Sequence, residues 1–184
     1  MSGKLKIIGG QWRSRIIRFK DAPGLRPTPA RLREKLFNWL QADIQGSVCL
    51  DLFAGSGALG FEAVSRGAEH VVQVESNPKV CQQLKANALE LNMVQLNAIR
   101  QDVETFLAEY DGEMVDLVFM DPPFAKGYAA STCWQLEQVG CLKPFAKIYV
   151  EVEKSLKIVS VPESWTLLKT ASAGDVMCFL YRNG

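Results

Sequence analysis

The chain has 184 residues, 48% hydrophobic and 22% charged, which suits one domain with a full apolar core and excludes a disordered chain. Five cysteines without C-x-x-C spacing exclude a disulfide framework and a zinc ribbon and predict free thiols; one histidine, His70, excludes a multi-histidine metal site, so no metal is expected. A net charge of +1 argues against a polyanion partner at first sight, and the lack of any apolar run near about 18 residues, or of signal-peptide length after the N-terminus, predicts no membrane span and a cytoplasmic location.

The charge is unevenly placed. Residues 1–35 hold ten basic and two acidic side chains, a balance of +8, and the remainder stands at −7. A basic segment on an acidic body suggests a polyanion-binding extension, with a solvated basic face as the alternative. Within it, β-prone runs at Leu5 to Ile8 and Arg15 to Phe19 flank Gly9 and Gly10, which predicts a hairpin. Asp21 to Pro29 is rich in Pro and Gly and reads as a loop. Thr28 is placed to cap a helix that starts at Pro29, and Leu32, Leu36, Phe37 and Leu40 carry its apolar face to about Asp43. This divides the chain into a basic arm, 1–27, and a body, 28–184.

After Gly46 short apolar strands alternate with helices. Strands are predicted at Val48 to Phe53, Val71 to Val74, Leu96 to Arg100, Val115 to Met120 and Lys147 to Val152; helices at Ala58 to Ser65, Pro78 to Leu91, Val103 to Ala108 and Ala129 to Val139. Two further strands, Trp165 to Ala171 and Val176 to Arg182, form a terminal hairpin. The fold class is therefore α/β, a doubly wound and mostly parallel sheet with helices on both faces and an antiparallel C-terminal hairpin.

The chemistry concentrates where strands end. Asp51-Leu52-Phe53-Ala54-Gly55-Ser56-Gly57-Ala58-Leu59-Gly60 contains G-x-G-x-x-G, whose glycines allow a tight turn and close approach of a ligand. Asp51, just ahead of them, would repel a pyrophosphate and suit an ammonium group. Glu75, twenty residues after Gly55, can accept both hydroxyls of a ribose, and Asp102 can accept from an adenine amino group. Each acid could instead be a helix N-cap. In Asp121-Pro122-Pro123-Phe124 two prolines remove N–H donors, so the loop offers carbonyls and a carboxylate to an exocyclic amino group, with Phe124 able to stack on a base. A hydride-transfer enzyme shares the glycine loop but has no use for this second motif, and a non-catalytic RNA-binding module would share only the arm.

The D-x-F-x-G-x-G-x-x-G loop together with D-P-P-F resembles class I S-adenosylmethionine-dependent amino methyltransferases. Ile7 to Arg13 (IIGGQWR), Arg26-Pro27-Thr28 and Arg33 to Leu40 (REKLFNWL) are similar to the bacterial 16S ribosomal RNA guanine-N2 methyltransferases that modify guanine 966. The resemblance implies a Rossmann-like sheet of seven strands with S-adenosylmethionine held by Asp51, Phe53, Gly55, Gly57, Glu75 and Asp102. It implies catalysis by Asp121, Pro122 and Phe124, and RNA contacts by Arg13, Arg15, Arg18, Arg26 and Arg31. A monomer acting on 16S rRNA, free or in the small subunit, is expected; DNA amino groups and protein glutamine are the alternative acceptors. Ala30 departs from the pattern, where a polar or acidic residue is expected.

Overall fold

The alternation of apolar runs and helical segments folds as the sequence predicts, with shifts of a few residues at element ends. A computed structural model describes residues 2–20, 27–123 and 127–184. In chain order the elements are β1 (Ser2–Lys6), β2 (Ile16–Lys20), α1 (Ala30–Trp39), β3 (Val48–Asp51), α2 (Ala58–Ser65), β4 (His70–Val74), α3 (Pro78–Glu90), β5 (Leu96–Ile99), α4 (Val103–Ala108), β6 (Val115–Met120), α5 (Tyr128–Val139), β7 (Leu142–Glu153), β8 (Trp165–Ala173) and β9 (Val176–Asn183). The seven-stranded sheet runs β5-β4-β3-β6-β7-β9-β8. Its first five strands are parallel, and β9 pairs antiparallel with β7 and β8.

All four residues of β3 are buried, because α1, α2 and α3 cover one face of the sheet and α4 and α5 the other. Side chains alternate between the faces: Cys49, Leu117, Phe119 and Tyr149 join the core of the first face, Leu50, Val118, Ile148 and Val150 that of the second. The strand order reverses between β3 and β6, which opens a crevice outside their carboxyl ends.

Three expectations change. Thr28 does not cap α1; Pro29 holds the N-cap position with no side-chain bond, and the buried Thr28 hydroxyl turns to Glu151 instead. The helix ends at Trp39 rather than near Asp43, since the chain then turns to bury Ile44 and to place Asp43 2.7 Å from Lys147. Strand β7 begins five residues before Lys147, with Phe145 at φ 65° and a register shift against β6 between Val115 and Leu117.

The β1–β2 hairpin is bolted to the body. Ile7 and Ile17 are fully buried, and the buried carboxylate of Glu62 on α2 accepts from the Ile8 and Gly9 amides, each at 2.8 Å, and from Arg66 at 2.8 Å. Arg33 lies 3.7 Å from the same carboxylate and donates to the Lys6 carbonyl at 3.2 Å. Gly10, at φ 75°, presses on the end of α2: a Cβ there would sit 1.7 Å from the Ser65 carbonyl. Trp12 donates to the Leu91 carbonyl at 2.8 Å, and Asn87 on α3 exchanges bonds with the Arg18 backbone.

Glu62→Ala should therefore cost about 3–5 kcal/mol, because it strands Arg33 in the interior and two backbone donors at once. Urea unfolding measures this; a loss under about 1 kcal/mol would mean that apolar contacts alone hold the hairpin.

Candidate functional site

Register decides which side chains meet at the crevice. Asp51 pairs with Gln73 on β4 and with Phe119 on β6; Phe119 pairs with Tyr149 on β7, and Glu151 with Cys178 on β9. Asp121 directly follows β6 and comes alongside Glu151 in the same register. Period-two alternation puts all five on the face covered by α1 and α2, in two neighbouring rows: Gln73 and Asp51, then Asp121, Glu151 and Cys178 two residues further along their strands.

Asp51 is 2% exposed, and its Oδ2 accepts from Gln73 Nε2 at 2.8 Å and from the Gly60 amide at 3.1 Å. Burial outweighs those bonds and pushes its carboxyl up to about 6. Gly60 makes the bridge possible, because a Cβ there would lie 2.4 Å from Gln73 Nε2. Gly57 turns at φ 80°, and the space its Cβ would need is filled by Leu84 and Phe61, so its hydrogen faces protein. Glu75 clamps the glycine turn to the end of β4 by accepting from the Gly55 amide at 3.0 Å and the Asn77 amide at 2.7 Å. Asp102 is the N-cap of α4: it accepts from the amide and hydroxyl of Thr105, each at 2.9 Å, and these bonds hold its carboxyl below the usual range. Phe53 is half-buried, its ring 6.4 Å from that of Tyr128.

Asp121 is raised well above an ordinary carboxyl, first by burial and then by the charges of Glu151 and Asp51. Glu151, 1% exposed, is raised as well, chiefly by burial. Tyr149 donates its hydroxyl proton to Glu151 Oε1 at 2.9 Å, and Thr28 is its second hydroxyl partner. No described cation enters the balance of Asp51, Asp121 or Glu151. Among the described residues no group of His, Cys, Asp or Glu has the arrangement of a metal site. Beside the three acids runs a small groove lined by Pro122, Pro123, Tyr128, Glu151 and Leu156.

The structure thus gathers Asp51, Phe53, Gly55, Gly57, Glu75, Asp121 and Pro122 at one edge of the sheet, with Asp102 at the end of β5. Phe124 and Arg26 fall outside the described residues. Arg31 is exposed in the first turn of α1, three residues after Thr28. Arg13 and Arg15 are exposed but belong to the hairpin turn docked at Ser65, the end of α2 remote from the crevice, and Arg18 pairs with Glu90 at 3.1 Å. His70 sits at the start of β4, also away from the crevice, 3.4 Å from Glu113. It lines a separate cavity of about 330 Å³ between α4 and the sheet. Glu151 and Thr28 are the residues that sequence reasoning missed. A lone acid inside the apolar run Ile148 to Val152 was the available signal.

Comparison with known proteins places these features in a family. The family model described as conserved hypothetical protein 95 matches residues 5–182. The ribosomal RNA small subunit methyltransferase D of Escherichia coli strain K12 is 44% identical over 181 residues, 98% of this chain and 91% of that protein. Its namesake in Haemophilus influenzae is 44% identical over 184 residues, 98% of this chain and 95% of the other. The solved structure of the Escherichia coli protein yhhF superposes with a TM-score of 0.91 at 40% identity over 98% of each chain.

The buried acids carry a stability signature. A carboxyl raised on folding binds its proton more tightly in the folded chain, so ionising Asp51 lowers stability as pH climbs from about 4 to about 6. Asp51→Asn should be more stable than wild type by roughly 3 kcal/mol at pH 8, and the gap should largely close by pH 4. Urea unfolding at the two pH values measures it; a gap independent of pH would show that Asp51 is not raised.

Proposed function

The chain belongs to the conserved hypothetical protein 95 family, and on that premise we propose that it is an S-adenosylmethionine-dependent methyltransferase acting on 16S ribosomal RNA, at the N2 amino group of guanine 966. The names of its close relatives support ribosomal RNA of the small subunit as the substrate class. The observation that carries the chemistry is the group Asp51, Asp121 and Glu151, three carboxyls raised chiefly by burial, none of them ion-paired to a described cation. Such a group suits a cationic ligand and would repel the pyrophosphate of a nicotinamide dinucleotide.

S-adenosylmethionine, when bound, supplies a methyl group on a cationic sulfur together with an ammonium group. Asp51 would hold its amino-acid end, with Phe53, Gly55 and Gly57 shaping the wall around it. Glu75 would take the ribose hydroxyls and Asp102 the adenine amino group; each already accepts backbone bonds, and a carboxylate has lone pairs for more. The N2 lone pair of guanine is delocalised into the ring. Asp121 and the Pro122 carbonyl, each accepting one N–H, would favour a tetrahedral nitrogen with its lone pair free to attack, and Phe124 would stack on the base drawn out of its RNA stack. No strong base is required. Arg13, Arg15, Arg18, Arg26 and Arg31 would contact phosphates, which makes residues 1–27 the RNA-binding arm of a methyltransferase body spanning 28–184. The protein would work in the cytoplasm as a monomer, on the small subunit or its RNA. Among the described residues no helix is long and apolar enough to cross a membrane.

Asp121→Ala should cut methyl transfer at least about a hundredfold while calorimetry still detects S-adenosylmethionine binding. Undiminished turnover would remove Asp121 from the chemistry, and mapping the labelled nucleotide to anything but a guanine N2 would refute the acceptor. Changing Arg13 and Arg15 together to Gln should reduce the log–log salt slope of RNA binding by about 2; an unaltered slope would take the hairpin turn out of the interface.

A further inference from the structure

Glu151 is a costly residue where it stands. A glutamate that is 1% exposed inside a strand ordinarily faces a cation, as Glu62 faces Arg66 and Arg33. Its described partners are instead two hydroxyls, Tyr149 and Thr28, one from its own strand and one from the entry to α1. Both are arranged so that the carboxylate accepts, and they fix its orientation from two sides. A carboxylate offers about four acceptor positions, so acceptor capacity remains. Glu151 also lines the groove formed by Pro122, Pro123, Tyr128 and Leu156, and it stands beside Asp121 in the register of β6 and β7.

Guanine presents two donors side by side on one edge, the N2 amino group and the ring N1–H; adenine has a bare acceptor at N1. If the amino group is held at Asp121 and the Pro122 carbonyl, the ring N–H on the same edge can face the neighbouring acceptor, Glu151. We infer that Glu151 reads the base: it accepts the N1–H of the target guanine and so separates guanine from purines that lack that hydrogen. Resting on the guanine-N2 function proposed above, this adds a specificity-determining residue to it. A bare ring nitrogen would place two acceptors face to face at a carboxylate that is itself 1% exposed, and that repulsion is the basis of discrimination. Tyr149 and Thr28 are then positioning residues, acting through Glu151.

The test uses small subunits reconstituted with 16S RNA carrying either guanine or 2,6-diaminopurine at the target position. The analogue keeps the N2 amino group but has no hydrogen on N1. Wild-type protein should methylate it roughly ten- to a hundredfold less efficiently in kcat/KM. Glu151→Gln can turn an amide N–H toward the bare nitrogen, so it should lose efficiency on guanine and narrow or invert the ratio, while calorimetry shows that it still binds S-adenosylmethionine. A merely structural role would lower both substrates together and leave the ratio unchanged, which would overturn the assignment. Equal use of both RNAs by wild type would overturn it as well, whatever the stability of the variant. Methylation of the guanine subunit at another atom, or of neither subunit, would overturn the guanine-N2 function and this assignment with it.

Discussion

Burial of the central strands on both faces is the constraint from which the site follows. Every residue of β3 is buried, as are Leu117 to Met120 of β6 and Ile148 to Val152 of β7, so polar chemistry finds room chiefly where these strands leave the sheet. The parallel register then aligns those exits. Asp51 ends β3, Asp121 follows β6 and Glu151 lies near the end of β7, and alternation turns all three to one face. The reversal of strand order beside β3 leaves that edge uncovered by a crossing connection.

The protein treats buried acids in two opposite ways. Glu62 is satisfied by two amides and Arg66, with Arg33 nearby, and it fastens the N-terminal hairpin to the body. Asp51, Asp121 and Glu151 have hydrogen bonds or like-charged neighbours but no described counter-charge, and all three are raised. The first arrangement contributes stability; the second sacrifices some, as a site built to receive a cation would.

Charge is distributed on the same principle. The +8 balance of the first 35 residues overstates what the arm can offer a polyanion, because Arg33 is buried against Glu62 and Arg18 is paired with Glu90. Arg13 and Arg15 project from the hairpin turn docked at the far end of α2, whereas Arg31 stands in the first turn of α1. An RNA that touched all three would have to extend along the α1–α2 face. With a net charge of +1 the long-range pull on such a partner is weak, so shape and local contacts must supply the rest.

The order and type of the elements were legible in the sequence because apolar periodicity and glycine turns are local signals. Helices Ala58–Ser65 and Val103–Ala108 and strand Val115–Met120 coincide with expectation to the residue. The strand-end acids were legible too, since each adjoins its turn. The partnerships were not. Asp102 has the local sequence of a cap and of a ligand alike, and its bonds to Thr105 are seen only once the chain is folded. Thr28, read as a helix cap, is drawn 123 residues along the chain to Glu151 because β7 packs beside β6 and brings a buried acid to the entrance of α1. Local sequence therefore determined the fold class and most of the candidate site. Tertiary structure decided which carboxylates share one low-dielectric face, because that depends on strand register and burial between segments far apart in the chain.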